Sequence, residues 1–444
     1  MKKKHTIGTL GLSALLLLSG CATNKADATT TKASATSTVA ATVETTTEAT
    51  TESSVPATTP TENEDTSILP TYYNIPLRIV DKDGNKISEV SMYGNNFLTD
   101  HGVLYTKLPK EEDDSVIEYR LFDTETKEDK KLGEMSGLSY MTAYSYIEMN
   151  GKFYALAMTG ELLDDTPDPL LLLEIDLEKG GINQYVISEN GYPYVALCQA
   201  GQKVLAFTHD QQSDGLLYDR VMEFDPATQT LREVMTFKFK EHVAGDTVRS
   251  LYSDGKNIYL LRVHVVDNVS SLILDTYDMS YVKTGEQDIT RLFLDSVPSS
   301  DIISVEPVTA SDSKEADMYY QVSRFFITPE GDLFYCNFSD EIFLVNLKTG
   351  KAHELDPLFR ASFGSGSPFF GTICQNVDEE YPGINQVFHL KDGNLESQEI
   401  DLFGDRYSID FMQTTPSGKE ALYMSIMDPG HLNTDYPCIL YIYK

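Results

Sequence analysis

Tryptophan is absent from this chain, histidine occurs eight times and cysteine five times in 444 residues. No Cys-x-x-Cys pair exists, no two histidines form a His-x-His pair, and His353-Glu354 lacks the second histidine of a zincin. Zinc-site spacing is therefore missing, and no cofactor is implied. Basic residues are scarce: 35 Lys and Arg stand against 68 Asp and Glu, a formal net charge of −33. Residues 67–444 hold 61 of those acids and 30 of those bases, so about −31 belongs to the body of the protein. A surface without a Lys/Arg footprint cannot displace counterions from a polyphosphate, which excludes nucleic acid as a partner and argues against flat docking on anionic lipid. Amphipathic helical periodicity is lacking too, the best short candidate lying near Ile289–Leu294.

What is present begins at the N-terminus. Lys2, Lys3 and Lys4 precede an apolar stretch from Ile7 to Leu18, too short to span a bilayer but of the length of an export signal. It ends in Leu18-Ser19-Gly20-Cys21, which resembles the lipobox of bacterial lipoproteins: an aliphatic residue, two small residues, then cysteine. The resemblance implies cleavage before Cys21, a diacylglycerol on its thiol, and anchoring to the outer side of a cell membrane. Two or more acyl chains make such an anchor durable.

Residues 22–66 contain 16 Thr among 45 residues, with Ala, Ser, Glu and two Pro between them. So few apolar side chains cannot offset the entropy of ordering, and the segment reads as a disordered stalk. A long stalk of this kind suits a thick wall, pointing to a Gram-positive envelope. The chain thus divides into a signal peptide at 1–20, a lipidated cysteine and linker at 21–66, and a folded body at 67–444.

In the body, β-branched and aromatic residues dominate, and a Gly-then-strand unit recurs. Its glycines are Gly102, Gly151, Gly201, Gly255, Gly331, Gly371 and Gly418, spaced by 49, 50, 54, 76, 40 and 47 residues. A second pattern follows about 15–20 residues later, two apolar strands around a polar tip, as in Glu118–Leu132, Leu172–Ile187, Val221–Val234, Ile342–Leu355 and Val387–Ile400. Asp-x-x-Thr and Lys-Thr-Gly at these tips supply the positive φ and side-chain bonding of hairpins. A repeat of 40–54 residues holding about four strands is the signature of a β-propeller blade. The segment Leu344-Val345-Asn346-Leu347-Lys348-Thr349-Gly350-Lys351 resembles the outer strands of PQQ-type and YncE-type repeat propellers. The expectation is an all-β, single propeller, most simply seven-bladed, with six or eight open. The 284–328 interval reads as an inserted loop or a further degenerate blade. The hairpin Pro76–Ser91 and the C-terminal strands Ala421–Met427 and Cys438–Tyr443 are expected to share the blade that closes the ring.

Hydrolase motifs fail on register. Gly364-Ser365-Gly366-Ser367-Pro368 is not Gly-x-Ser-x-Gly. Asp81-Lys82-Asp83-Gly84-Asn85 starts like a calcium loop, but its glycine falls two positions early and the twelfth position is Met92, so a hairpin tip fits better. Cys198, Cys336, Cys374 and Cys438 sit in apolar runs; two disulfides are open to an exported protein, and small buried hydrophobes fit the runs better.

One charge pattern stands out. Loops joining second to third strands are acidic, with Asp113, Asp114, Asp164, Asp165, Asp168, Asp378, Glu379 and Glu380 as candidate binding residues. The tips between third and fourth strands carry Lys82, Lys86, Lys127, Lys130, Lys179, Lys348, Lys351 and Lys391 instead. A propeller puts these two loop classes on opposite faces. The expected function is a surface module binding an extracellular protein or cell-wall glycan. The alternative is a glycoside hydrolase or lyase that uses carboxylates of one face.

Overall fold

Phe153, Tyr154, Ala155, Leu156 and Ala157 are each no more than 1% exposed, a run without polar alternation. A strand can bury consecutive residues only if both its faces are covered, and the sheets of this protein supply that cover on each side. The computed structural model describes residues 74–110, 116–136, 138–159, 168–191, 196–211, 217–238, 247–266 and 269–289. It further describes 325–327, 332–336, 342–347, 351–355, 359–362, 370–374, 385–391, 394–400, 407–426 and 438–444. Cys21, the stalk and the 290–324 stretch lie outside these residues, and so do all but the first residue of the short helix candidate.

Two strands open the described chain, β1 (Ile75–Val80) and β2 (Lys86–Met92). Antiparallel meanders of four strands follow. The first is β3 (Asn96–Thr99), β4 (Gly102–Lys107), β5 (Val116–Phe122) and β6 (Asp129–Ser136). The second is β7 (Leu138–Met149), β8 (Lys152–Thr159), β9 (Asp168–Asp176) and β10 (Ile182–Gly191). The third is β11 (Ala196–Ala200), β12 (Lys203–Gln211), β13 (Leu217–Asp225) and β14 (Thr230–Lys238). A single pair, Gly191 with Asp210, ties the second meander to the third. Next come β15 (Thr247–Ser253), β16 (Asn257–Val266), β17 (Val269–Asp278) and β18 (Lys283–Asp288). The fifth comprises β19 (Phe325–Ile327), β20 (Asp332–Cys336), β21 (Ile342–Asn346) and β22 (Lys351–Leu355). The sixth comprises β23 (Phe359–Ser362), β24 (Phe370–Cys374), β25 (Asn385–Lys391) and β26 (Asn394–Ile400). Last are β27 (Tyr407–Thr414), β28 (Glu420–Ile426) and β29 (Cys438–Ile442). The described residues contain no helix.

The first strands of successive meanders touch: β27 with β3, β3 with β7, β7 with β11, β11 with β15, β15 with β19, and β23 with β27. The sheets are therefore blades around an axis, and the fold is a β-propeller. Alternate residues of one strand feed the cores on its two sides. Phe153, Ala155 and Ala157 of β8 pack with Phe97, Leu104 and Tyr119 of the preceding blade. Tyr154, Leu156 and Met158 pack with Val204, Ala206 and Phe224 of the following one. The period-two geometry of a strand thus converts a continuous apolar run into two separate inter-blade interfaces.

The ring closes between the two ends of the body, as their patterns imply, but with a difference. The closing sheet has five strands in the order β2-β1-β29-β28-β27, and β1 runs parallel to β29, with Leu77 opposite Cys438 and Ile79 opposite Leu440. Because β2 is antiparallel to β1, it is β2 that takes the direction of an outer strand and leads into β3. Leu77 and Ile79 enter the core shared with Val103 and Tyr105, while Val80 faces the core shared with Val387 and Ile400.

Gly371 is a second correction: it lies inside β24, opposite Ala361, rather than in the turn before it. The Asp81–Asn85 segment is a hairpin tip, since Asp81 Oδ1 accepts the Asp83 and Asn85 amides at 3.0 and 2.8 Å and Gly84 takes φ 78°. Cys198 and Cys438 are free and buried, as small hydrophobes.

Candidate functional site

The turns joining β3 to β4, β7 to β8, β11 to β12 and β27 to β28 converge, and their backbones explain their residues. In the β7–β8 turn both central residues, Asn150 and Gly151, have positive φ (55° and 70°). That is the conformation for which Asn-Gly is suited. At the β3–β4 turn Gly102 has φ 130°, and a Cβ there would lie 2.3 Å from the Phe122 carbonyl oxygen, so no other residue fits. Gly201 and Gly418 supply positive φ in the β11–β12 and β27–β28 turns.

Residues flanking these turn glycines line a cavity of about 240 Å³: Asp100, His101, Glu148, Met149, Asn150, Gly151, Gln199, Gln202 and Pro416. Four blades contribute to it. The turns are stitched together around it. Both carboxylate oxygens of Glu148 accept the Asp100 amide at 3.0 Å. The Asp100 carboxylate accepts the amide and hydroxyl of Ser417, and Lys419 Nζ donates to the Asp100 carbonyl at 3.1 Å. On the other side Asn150 Nδ2 donates to Gln202 Oε1 at 2.9 Å.

The two carboxyls are tuned apart. Burial would raise Asp100, but the hydrogen bonds from Ser417 and Thr415, with Lys419 nearby, outweigh it and hold the carboxyl below the usual range. Glu148 is 4% exposed, and burial pushes its carboxyl up to about 7. The charge of Asp100 adds to the rise, whereas the Asp100 amide and Lys419 oppose it. Two carboxyls of opposite tendency thus line one cavity.

Other charged residues serve the blades. Glu174 of β9 is 2% exposed and paired with Lys152 of β8 and Asn183 of β10. Glu223 of β13 is held by Lys203 of β12 and Arg232 of β14, and Asp275 of β17 by Arg262 of β16 and Lys283 of β18. In each case a third-strand carboxylate clamps its two neighbouring strands. Among the described residues, no three or more His, Cys, Asp and Glu are placed to hold a metal ion.

Of the acidic-loop residues read from the sequence, Asp113, Asp114, Asp164, Asp165, Asp378, Glu379 and Glu380 lie outside the described residues. Asp168 opens β9, opposite Gly191. The cavity itself escapes the sequence reading. Its signal is the short polar segment just before each repeat glycine, Asp100-His101, Glu148-Met149-Asn150 and Gln199-Ala200, which only the ring brings together.

No family model matches the chain, and no curated protein matches it. Solved structures do. Hydrazine synthase of Kuenenia stuttgartiensis is 14% identical over 66% of this chain and 77% of that one, at a TM-score of 0.35. A puromycin-hydrolyzing peptidase of Mycobacterium tuberculosis is 10% identical over 80% of this chain and 59% of that one, at 0.40. The β-propeller domain of the Trilobed protease from Pyrococcus furiosus is 12% identical over 65% and 79%, at 0.34. At these scores the fold assignment stands on the strand ladders and inter-blade cores.

Proposed function

We propose that this chain is a lipid-anchored, extracytoplasmic binding module: a seven-bladed propeller tethered through Cys21 and the 22–66 stalk, engaging a cell-wall glycan or an extracellular protein. One observation carries the reading, the polar cavity of about 240 Å³ built by turns of four blades and lined by groups that donate and accept hydrogen bonds. Binding sites are concavities in which a few polar groups converge from a rigid scaffold, and the first-to-second-strand turns here are bonded to one another across blades. The acidic residues Asp113, Asp114, Asp164, Asp165, Asp168, Asp378, Glu379 and Glu380, which the sequence puts between second and third strands, would raise the local concentration of a basic partner.

The test is retention on purified cell walls and capture from native envelopes by the whole protein, compared with Gln199→Trp and Gln202→Trp, two exposed positions whose enlargement fills the cavity. Retention lost at an unchanged melting temperature supports the cavity as the site. Unchanged retention removes it.

A glycoside hydrolase or lyase is the second reading, favoured by the divergent titration of Asp100 and Glu148, the pattern of an acid and a base working as a pair. Release of sugar from wall glycan by the wild type and not by Glu148→Gln would establish it.

A further inference from the structure

The chemistry of the lining narrows the ligand. Asp100 and Glu148 bring carboxyls, Asn150, Gln199 and Gln202 bring amides, and His101 brings a ring; no Lys or Arg is among the lining residues. The chain as a whole carries −33, which disfavours an anion relative to a cation as ligand. Apolar lining is confined to Met149 and Pro416, too little to hold an aromatic or aliphatic ligand. The volume, about 240 Å³, suits one small molecule. Amides donate from nitrogen and accept at oxygen while carboxylates accept, so together they suit hydroxyl groups.

Glu148 adds the decisive constraint. It is 96% buried by its 4% exposure and yet lines the cavity. Near it are Asp100 from the β3–β4 turn, Tyr146 from its own strand and Lys419 from the β27–β28 turn, which reaches the Asp100 carbonyl, and His101 lines the same cavity. A buried carboxyl beside an ionised one is a position where added positive charge is strongly favoured.

We propose that this cavity is a receptor for a small hydroxylated primary ammonium, the ammonium seated at the Asp100 and Glu148 carboxyls and the hydroxyls on the Asn150, Gln199 and Gln202 amides. The inference rests on the binding-module reading and names its ligand class. Binding is coupled to a proton: the Glu148 O–H bond breaks as the cation enters, the electron pair stays on the carboxylate, and the proton goes to solvent. With Glu148 near 7 in the empty cavity, affinity rises with pH and levels off above neutrality. If only the ionised form binds, the gain from pH 5 to pH 8 approaches about a hundredfold.

Three probes with one polyol chain and different heads test it, titrated by calorimetry into the whole protein: 1-amino-1-deoxysorbitol, sorbitol and gluconate. Expected is binding of the amine at least tenfold tighter than sorbitol and none by gluconate. Close to one proton should be released per amine at pH 6, read from two buffers of different ionisation enthalpy. Glu148→Gln should abolish that proton release and flatten the pH dependence, with cooperative melting as the check that it folds. Gln202→Ala, an exposed change, should weaken all polyol binding without altering the proton count. Equal binding of sorbitol overturns the ammonium, tighter binding of gluconate overturns the charge argument, and no binding of any probe overturns the ligand class. In that last case, wall retention that Gln199→Trp still abolishes would leave the binding module standing.

Discussion

Gln413 on β27 donates from Nε2 to the carbonyl oxygen of Asn96 on β3 at 2.9 Å, joining residues 317 positions apart, and its Oε1 accepts the Leu98 amide. Gln413 is 1% exposed and Asn96 1% exposed, so both partners are dry. One side chain therefore satisfies a buried donor and a buried acceptor across the seam where the ring closes.

Removing that side chain leaves both backbone groups buried without it. Gln413→Ala should cost about 1–3 kcal/mol, the penalty for stranding buried polar groups. Gln398→Ala, exposed on β26, should stay within about 0.5 kcal/mol. Urea unfolding midpoints measure the difference, and equal midpoints would mean that the seam contributes nothing.

Strand β8 packs on two blades at once. Leu156→Ala, at a residue with 0% exposure, should destabilise by about 2–5 kcal/mol. Val186→Ala, 48% exposed on β10, should be close to neutral. Denaturant titration of the two variants reads the contrast.

Stability should pass through a maximum in mildly acid solution. Glu148 is raised from 4.5 to about 7 and Asp410 from 3.8 to about 6, both chiefly by burial. Their folded forms hold protons that the unfolded chain has lost, so stability falls as pH rises through roughly 4 to 7. Glu223 and Glu420 behave oppositely. Burial would raise both, yet Arg232, Tyr281 and Lys203 bring Glu223 down to about 2, and His389, Lys444 and Tyr443 bring Glu420 to about 2. Their contribution is present above 4.5 and is lost as pH falls towards 2. Melting temperatures between pH 2 and 8 should therefore peak near pH 4–5. Glu148→Gln should raise the melting temperature at pH 8 and leave it nearly unchanged at pH 4; a fall at pH 8 would show that the ionised form is the stabilising one.

Cys21→Ser tests the anchor. It should leave uncleaved precursor or release the protein from membranes, read by fractionation and mobility. Correct processing with retained membrane attachment would refute lipidation at Cys21.

Much of this architecture is legible in the residues. The five strand-tip-strand patterns coincide with β5–β6, β9–β10, β13–β14, β21–β22 and β25–β26. Hairpins are local: a tip residue that needs positive φ and two apolar flanks lie within about fifteen positions, so periodicity and turn chemistry suffice. The glycine units mark second strands for the same reason, Gly371 excepted, because a glycine inside a strand and one in a turn look alike in sequence.

What the residues determined alone is therefore the alphabet of the fold: strands, tips, their recurrence, and the pairing of the two ends. Tertiary structure decided the rest. The parallel join of β1 to β29 depends on which of two adjacent strands meets the C-terminal edge, and both are apolar enough to do so. Asp100 and Glu148 are 48 positions apart and unremarkable in their turns, yet the ring sets them in one cavity. Burial there separates their titrations, and burial is a property of the neighbouring blades, not of the carboxyl that feels it.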